Sequence, residues 1–229
     1  MLTNIPEQKY SIEAKISHQP TFTEGLLFLN NCIYESSGLY GQSFLQKTCP
    51  NGHVKRQDIA KSYFSEGLTY KDGLLYVLTW KENVGMIYDL NLKYVNSWRY
   101  DGEGWGLAWT GKYFILSDGT PYLKIYTSDW KIKNRIPVMN GSKLLSGLNC
   151  LLWRDGFIFA NVYPTSYIVK IAITSNHAHV INYIDCTNLD ISESKKSNPE
   201  SVVNGICNGP NGTLLVTGKL WDVIYVLNY

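Results

Sequence analysis

Ser65–Trp80 reads SEGLTYKDGLLYVLTW, and its pattern indicates the fold of the chain. Two runs rich in aromatic and apolar residues flank Asp72-Gly73, a dipeptide typical of tight β-hairpin turns. Two more runs of the same kind follow shortly afterwards. The segment therefore predicts four consecutive antiparallel strands, at Gly67–Tyr70, Leu74–Leu78, Gly85–Asp89 and Tyr94–Trp98.

The opening of this stretch recurs, so that the chain holds five copies of one pattern. Each copy has a small or polar residue, an apolar anchor, an aromatic or apolar residue, a turn and an apolar pair. The anchors are Leu26, Leu68, Leu107, Leu151 and Ile206. They recur roughly every 40–45 residues, with one longer final interval, and this is the length of a four-stranded propeller blade. The repeats predict an all-β chain folded as a five-bladed β-propeller, in a single domain over residues 1–229.

The last repeat contains only three strand-like runs. Tyr10–Ile16 alternates as a strand does and precedes the first repeat. We therefore expect it to join the last blade and close the ring, because closure removes a sheet edge. The longer interval contains a polar stretch, Asp185–Glu200, which we expect to form an excursion with one helical turn. A β-sandwich, an array that does not close and a six-bladed ring remain alternatives at this point.

Composition favours a well-packed β domain. Hydrophobic residues make up 45% of the 229 residues and charged residues 17%, which argues against disorder. A net charge of +2 without a long basic run argues against nucleic-acid binding, and no apolar stretch reaches the ~20 residues of a membrane helix. The first residues lack a charged-then-apolar signal pattern, so we expect either a cytoplasmic protein or a processed extracytoplasmic form.

Three weaker signals concern cysteine and histidine. The cysteines are Cys32, Cys49, Cys150, Cys186 and Cys207. An odd count without CxxC spacing is a poor disulfide framework, so we expect mostly free thiols, with Cys150 a buried small apolar residue rather than a nucleophile. His177 and His179 share a strand face, but no third ligand is near them in sequence, so we expect a solvated outer strand instead of a metal site.

Matching positions of the five blades meet around the axis of a propeller. The first strand of each blade begins at one mouth of the central channel, and the second strand returns there. Two positions before the anchors the chain has Glu24, Glu66, Trp105, Asn149 and Asn204, and at the ends of the second strands it has Gly38, Trp80, Asp118, Tyr163 and Lys219. These two rings predict one polar, aromatic-walled ligand pocket. Asn204, Asp118 and Gly38 are expected to support loop backbone instead.

The chain also resembles the glutaminyl cyclases, or glutamine cyclotransferases, of the plant and bacterial type. That family shares the strings FTQGL, GEGLTY, LTWK, GEGWGL, SDGT and TGKLW. The corresponding segments here are Phe22–Leu26 (FTEGL), Glu66–Tyr70 (EGLTY), Leu78–Lys81 (LTWK), Gly102–Leu107 (GEGWGL), Ser117–Thr120 (SDGT) and Thr217–Trp221 (TGKLW). The resemblance runs from about Thr21 to Trp221.

The resemblance implies a five-bladed propeller that converts the N-terminal glutamine of peptides to pyroglutamate and releases ammonia. It implies an acyltransferase that needs no metal or other cofactor. Carried over position by position, it implies catalytic roles for Glu66, Lys219 and Asn149. It implies substrate-binding roles for Glu24, Phe22, Trp80, Trp105 and Tyr163.

The chain departs from the family pattern in three places. Glu24 replaces a glutamine, Tyr163 replaces a tryptophan, and Leu148–Leu152 reads LNCLL instead of LNELE. A non-catalytic propeller that binds peptides or proteins therefore remains an alternative, as does an enzyme that acts on N-terminal glutamate. We expect peptides or proteins with N-terminal glutamine as partners, no nucleic acid, no membrane, and a monomer.

Overall fold

The protein is all-β in the computed structural model, which describes residue 2 and residues 5–191 and 197–229. Within these ranges the only helical element is a single 3-10 turn, Pro210–Gly212. The strands are β1 (Ser11–Ser17), β2 (Thr23–Leu29), β3 (Cys32–Ser37), β4 (Phe44–Thr48), β5 (Val54–Asp58), β6 (Ser65–Lys71), β7 (Leu74–Thr79), β8 (Val84–Asp89), β9 (Tyr94–Arg99), β10 (Leu107–Trp109), β11 (Phe114–Leu116), β12 (Tyr122–Tyr126), β13 (Ile132–Asn140), β14 (Lys143–Leu144), β15 (Leu148–Arg154), β16 (Phe157–Val162), β17 (Tyr167–Ile173), β18 (Ala178–Asp185), β19 (Val203–Asn208), β20 (Leu214–Gly218) and β21 (Val223–Asn228). Strands β6 to β9 confirm the four strands predicted for the second repeat.

The strands pair mainly with their neighbours in sequence. Three sheets have four strands each, in the orders β2-β3-β4-β5, β6-β7-β8-β9 and β1-β21-β20-β19. The remaining strands form two antiparallel sets, β10–β13 and β15–β18, which a short parallel pairing between β13 and β18 joins into one larger sheet, and the two-residue strand β14 pairs with β13. Strand β1 pairs antiparallel with β21, which confirms that the N-terminal strand completes the last sheet.

The first strands of the five repeats form a continuous ring. Strands β2, β6, β10, β15 and β19 each contact the next, and β19 contacts β2. Glycine just before the anchor permits this approach, since a Cβ on Gly67 would lie 2.6 Å from the carbonyl oxygen of Trp105, and one on Gly106 would lie 1.9 Å from that of Asn149. The anchors themselves are buried between the sheets.

Most of the cysteines are free thiols, as expected, but one pair is bonded. Cys32 and Cys49 form a disulfide with a Cα–Cα distance of 4.3 Å, because they stand at matching ends of the antiparallel strands β3 and β4. Counting cysteines could not reveal a pairing that depends on strand register. The other three cysteines are free and buried.

Two further expectations concern the polar excursion and the membrane. Residues 186–191 and 197–200 contain no helical turn, so the helical turn expected in Asp185–Glu200 is absent from the described part of that stretch, and residues 192–196 lie outside it. The described residues contain no helix long and apolar enough to cross a membrane.

Candidate active site

The polar side chains of the predicted ring lie on irregular backbone at the starts of the first strands. The pairing of β2 with β3 shifts register between Thr23 and Gly25, and the pairing of β6 with β7 shifts between Ser65 and Leu68. The same irregularity occurs at the starts of β15 and β19. Because a bulge re-aims a side chain out of the regular alternation, these strands can direct carboxyl and amide groups toward the axis.

These side chains line one cavity of about 380 Å³. Its walls are formed by Phe22, Glu24, Leu39, Phe64, Glu66, Trp80, Trp105, Asn149, Tyr163, Glu200 and Lys219. All eight residues predicted as catalytic or substrate-binding are among them. A larger hollow of about 580 Å³ lies beside this cavity and shares Phe22 and Leu39 with it, but it lacks the convergence of buried titratable groups.

Glu24 is the best-connected polar group in the cavity. Its side chain is fully buried, and its Oε1 lies 2.6 Å from Lys219 Nζ. Asn204 Nδ2 donates to Glu24 Oε2 at 2.9 Å and to the carbonyl oxygen of Thr23 at the same distance. Burial raises the pKa of Glu24, while Lys219 and the hydrogen bonds from Glu66 and Asn204 oppose that rise. Glu24 is thus the carboxyl group best suited to carry negative charge.

Glu66 is the carboxyl group that retains a proton most readily. Burial and then the neighbouring charge of Glu24 hold the pKa of Glu66 well above its ordinary value, and Lys219 only partly opposes them. Two carboxyl groups at such close quarters cannot both ionise easily. We therefore place the shared proton on Glu66 and the negative charge on Glu24, beside the Lys219 ammonium.

Two buried oxygen atoms in the cavity have no hydrogen-bond partner among the described residues. They are Glu66 Oε2 and Asn149 Oδ1, and both residues are at most 5% exposed. A buried polar atom left unpaired costs free energy. Their place in the cavity leaves both oxygen atoms available to a ligand or a water molecule.

Aromatic rings build the walls. Tyr163 meets Trp105 edge-on with ring centroids 6.0 Å apart, and Phe64 meets Trp80 edge-on at 5.4 Å. Lys219 Nζ lies 4.4 Å from the centroid of Phe22. Such rings exclude water, and an aromatic face can accept a cationic group.

Sequence reasoning missed three lining residues. Phe64 occupies the same place in its repeat as Phe22, two residues before the ring carboxyl, so the repeat alignment contained a signal for it. Leu39 follows the second strand of its repeat at the mouth. Glu200 comes from the irregular stretch before β19, which has no counterpart in the other repeats.

The residues set aside in the sequence take supporting positions. Asp118 forms an ion pair with Lys124 at 2.8 Å, Asn204 holds Glu24, and Gly38 packs against the ring of Phe64 so closely that a Cβ would lie 2.3 Å from it. Cys150 is buried, and burial raises the pKa of its thiol to about 11, which agrees with an inert apolar role.

The histidine pair also behaves as a surface feature. The rings of His177 and His179 lie 4.4 Å apart at centroids, and His177 is exposed. The described residues include no group of three histidine, cysteine or acidic side chains that could hold a metal ion.

A ring of β-sheets around an axial cavity that contains two neighbouring buried carboxyl groups defines a propeller-like protein whose side chains can carry out acid–base chemistry. The chain belongs to the glutamine cyclotransferase family, which it matches over residues 2–229. It is 32% identical over 223 residues to a glutaminyl-peptide cyclotransferase of Arabidopsis thaliana, a match covering 93% of this chain and 69% of that one.

Solved structures agree with this family. A crystal structure of glutaminyl cyclase from Myxococcus xanthus is 26% identical, with a TM-score of 0.84 and 98% of both chains covered. A streptogramin B lyase is 10% identical with a TM-score of 0.53, covering 96% of this chain and 97% of that one. At that identity, the second likeness shows a shared fold alone. None of these comparisons favours the alternative of a non-catalytic binding propeller.

Proposed function

We propose that this protein is a glutaminyl-peptide cyclotransferase that converts N-terminal glutamine of peptides and proteins to pyroglutamate, with release of ammonia. The observation that carries the proposal is the meeting of Glu66, Asn149 and Lys219 in one aromatic-walled cavity. Its polar floor offers a proton on one carboxyl group, a negative charge on a second and an unpaired amide oxygen.

We also propose that the architecture is a single-domain five-bladed propeller acting as a monomer. In this interpretation, the larger sheet is two blades, β10–β13 and β15–β18, that touch at one outer edge. Two observations support it: the contact between these blades is a short parallel pairing, and the five first strands follow one another around a ring.

The reaction joins the α-nitrogen of the substrate to the Cδ carbon of its own side chain. The N–Cδ bond forms, the bond from Cδ to the amide nitrogen breaks, and that nitrogen leaves as ammonia. One proton must therefore move from the attacking amine to the departing nitrogen. Because both reacting groups belong to one residue, holding that residue curled supplies much of the rate.

Glu66 is the group that moves this proton. Its raised pKa favours the protonated carboxyl group, which can give its proton to the departing amide nitrogen. The α-amine has an ordinary pKa of about 7.7–8.0, so a useful fraction attacks in its neutral form. The new N–Cδ linkage then returns its surplus proton to Glu66, and the carboxyl group ends as it began.

Lys219 and Asn149 act on the charges that develop. Lys219 Nζ holds Glu24 with one hydrogen bond and has further donors for the oxygen on Cδ as it becomes negative. Asn149 Oδ1 is unpaired and can accept a hydrogen bond from the substrate amine. Phe22, Trp80, Trp105 and Tyr163 form the mould around the aliphatic part of the substrate.

This chemistry needs only side chains, so we propose that the enzyme is metal-independent. The experiment is incubation of the protein with a glutamine-initiated peptide, with enzymatic measurement of ammonia and mass spectrometry of the peptide. Wild type should release one ammonia per peptide, with or without a chelator. Glu66→Gln should lower kcat by about 10²–10⁴-fold, the usual worth of a general acid–base group. Peptide binding without ammonia release by wild type would refute the proposal.

A further inference from the structure

Glu103 lies just outside the cavity, in the segment that joins β9 to β10. Trp80 Nε1 donates a hydrogen bond to Glu103 Oε2 at 2.7 Å, and Trp105 Nε1 donates to the same oxygen at 2.9 Å. The two tryptophans come from different sheets, one at the end of β7 and the other just before β10. A single carboxylate oxygen therefore joins two walls of the cavity.

Nothing else that the structure describes fixes the indole nitrogens. The main chain around both tryptophans is pinned, since Gly104 N donates to the Trp80 carbonyl oxygen at 2.9 Å and Trp105 N donates to that of Ser117 at 2.8 Å. These bonds fix where each side chain starts but not how its ring is turned. An indole has one donor, and charge-assisted bonds are the strong ones, so Glu103 supplies the hydrogen bond that orients both rings, beside their ring contacts with Phe64 and Tyr163.

The main chain beside Glu103 is closely confined. A Cβ on Gly104 would lie 2.4 Å from the Tyr100 hydroxyl oxygen and 2.9 Å from the Thr79 carbonyl oxygen. Gly102 has a φ of +78°, and a Cβ there would lie 2.9 Å from Lys124 Nζ. Flanking glycines thus let this segment press against β7, and that contact sets the carboxylate between the two indoles.

We propose that Glu103 is a positioning residue for substrate recognition, which locks Trp80 and Trp105 into one wall shaped for the N-terminal glutaminyl side chain. Phe64 and Tyr163 pack edge-on against these indoles, so the fixed indoles also hold these two rings in place. The role rests on the proposed function for its substrate, whereas the geometry of the two indoles can be measured without turnover.

The test compares Glu103→Gln with Glu103→Leu. Glutamine keeps an oxygen that can accept both indole hydrogens, and leucine has a similar volume but no acceptor. Indole ¹H–¹⁵N resonances report the bonds directly, with Trp80→Phe and Trp105→Phe spectra giving the assignments. We expect two downfield indole signals in wild type and in Glu103→Gln, and upfield movement of both in Glu103→Leu.

Kinetics give the functional half of the test. Glu103→Leu should raise KM for a glutamine-initiated peptide, or lower kcat/KM, by about 10–100-fold, which is the scale of loss when a reactive group is misplaced. Glu103→Gln should keep most of the wild-type kcat/KM. Asp101→Asn, an exposed acid in the same segment, is the matched control and should behave as wild type.

Two results would overturn the inference. One is Glu103→Leu with unmoved indole resonances, and the other is moved resonances with unchanged kinetics. A Glu103→Leu protein with a wild-type thermal unfolding midpoint ensures that neither result comes from misfolding, and Glu103→Ala, which also lacks an acceptor, serves in its place if leucine prevents folding. Failure of wild type to release ammonia would refute the proposed function instead, with the indole spectra still reporting the geometry.

Discussion

Lys219 Nζ lies 2.6 Å from Glu24 Oε1 at the floor of the cavity, and both side chains are almost completely buried. The family pattern has a neutral glutamine where this chain has Glu24. The cation of the site is therefore already neutralised before a substrate enters. Such a buried pair is costly to break by removing one partner, so its charges constrain both the chemistry and the choice of substrate.

The first prediction concerns the pH dependence of Glu24→Gln. After burial, the charge of Glu24 is the next cause of the raised pKa of Glu66. Removing that charge, and freeing Lys219 to act on Glu66, should lower the Glu66 pKa. The alkaline limb of the pH–rate profile, where a proton on Glu66 is lost, should therefore move to lower pH. Identical limbs in wild type and Glu24→Gln would remove Glu24 from the mechanism.

The second prediction concerns glutamine against glutamate at the N-terminus of the peptide. A glutamate side chain would bring a third carboxyl group to Glu24 and Glu66, while Lys219 is already paired. Wild type should therefore favour the glutamine peptide in kcat/KM by about 100-fold or more, the scale at which a polar site rejects a mismatched group. Competition between the two peptides measures the ratio of their kcat/KM values. This ratio should be smaller in Glu24→Gln than in wild type. Equal turnover would favour the alternative of an enzyme for N-terminal glutamate.

The third prediction separates two asparagines on the same ring. Asn149 Oδ1 has no partner among the described residues, so Asn149→Leu should lower kcat/KM by about 10²-fold or more without lowering the free energy of unfolding. Asn204 Nδ2 bonds to both Glu24 and the Thr23 carbonyl, so Asn204→Leu should destabilise the fold by about 1–3 kcal/mol. Urea unfolding and kinetics of the two variants make the comparison. Equal loss of stability would contradict a substrate role for Asn149.

Repeat alignment predicted much of this site, because a ring fold places equivalent positions together. Glu66, Asn149 and Lys219 are far apart in the chain, yet their matching places in the repeats brought them into one cavity. Phe64 could have been added by the same reasoning from Phe22.

What the repeats could not show depends on contacts that break their symmetry. Glu200 comes from a stretch found in one repeat only. Glu103 lies outside the ring and makes its hydrogen bonds to two indoles of the cavity wall. The Cys32–Cys49 disulfide depends on the register of one strand pair. Such features follow from side-chain packing, which periodicity does not encode.

The fourth prediction concerns the contact that ties the last sheet to the first. His18 follows β1; its Nε2 lies 3.0 Å from Glu35 Oε2 on β3, and its Nδ1 lies 2.9 Å from the Trp221 carbonyl oxygen. Burial works against a charged ring, but the hydrogen bond and charge of Glu35 prevail and raise the His18 pKa. The charged pair thus spans the closure between β1 and β3.

The sign of its effect follows from that direction. A histidine whose pKa is raised by folding stabilises the fold fully below its ordinary pKa of about 6.5, and this contribution is lost as pH rises through the folded value. The free energy of unfolding of wild type should therefore exceed that of His18→Gln by about 2 kcal/mol in acidic buffer. The difference should be smaller in alkaline buffer. Urea unfolding at several pH values measures this, and a pH-independent difference would mean that His18 is neutral.

The fifth prediction tests the close approach of the first strands. Gly106 and Cys150 occupy the same place in their repeats, immediately before the anchor. A Cβ on Gly106 would lie 1.9 Å from the Asn149 carbonyl oxygen, which is main chain and cannot rotate away. Gly106→Ala should therefore destabilise the fold by about 3 kcal/mol or more, as overpacking of a rigid core does. It should also displace Asn149 and so lower activity beyond the loss in folded protein.

Cys150→Ala is the matched control, because this position already accommodates a side chain and loses only a sulfur atom. It should cost about 1 kcal/mol and leave activity close to wild type. Urea unfolding and ammonia release from the two variants test the argument together. A small loss of unfolding free energy in Gly106→Ala would mean that neighbouring first strands can separate. The main-chain contact between these strands would then not fix the width of the axial cavity.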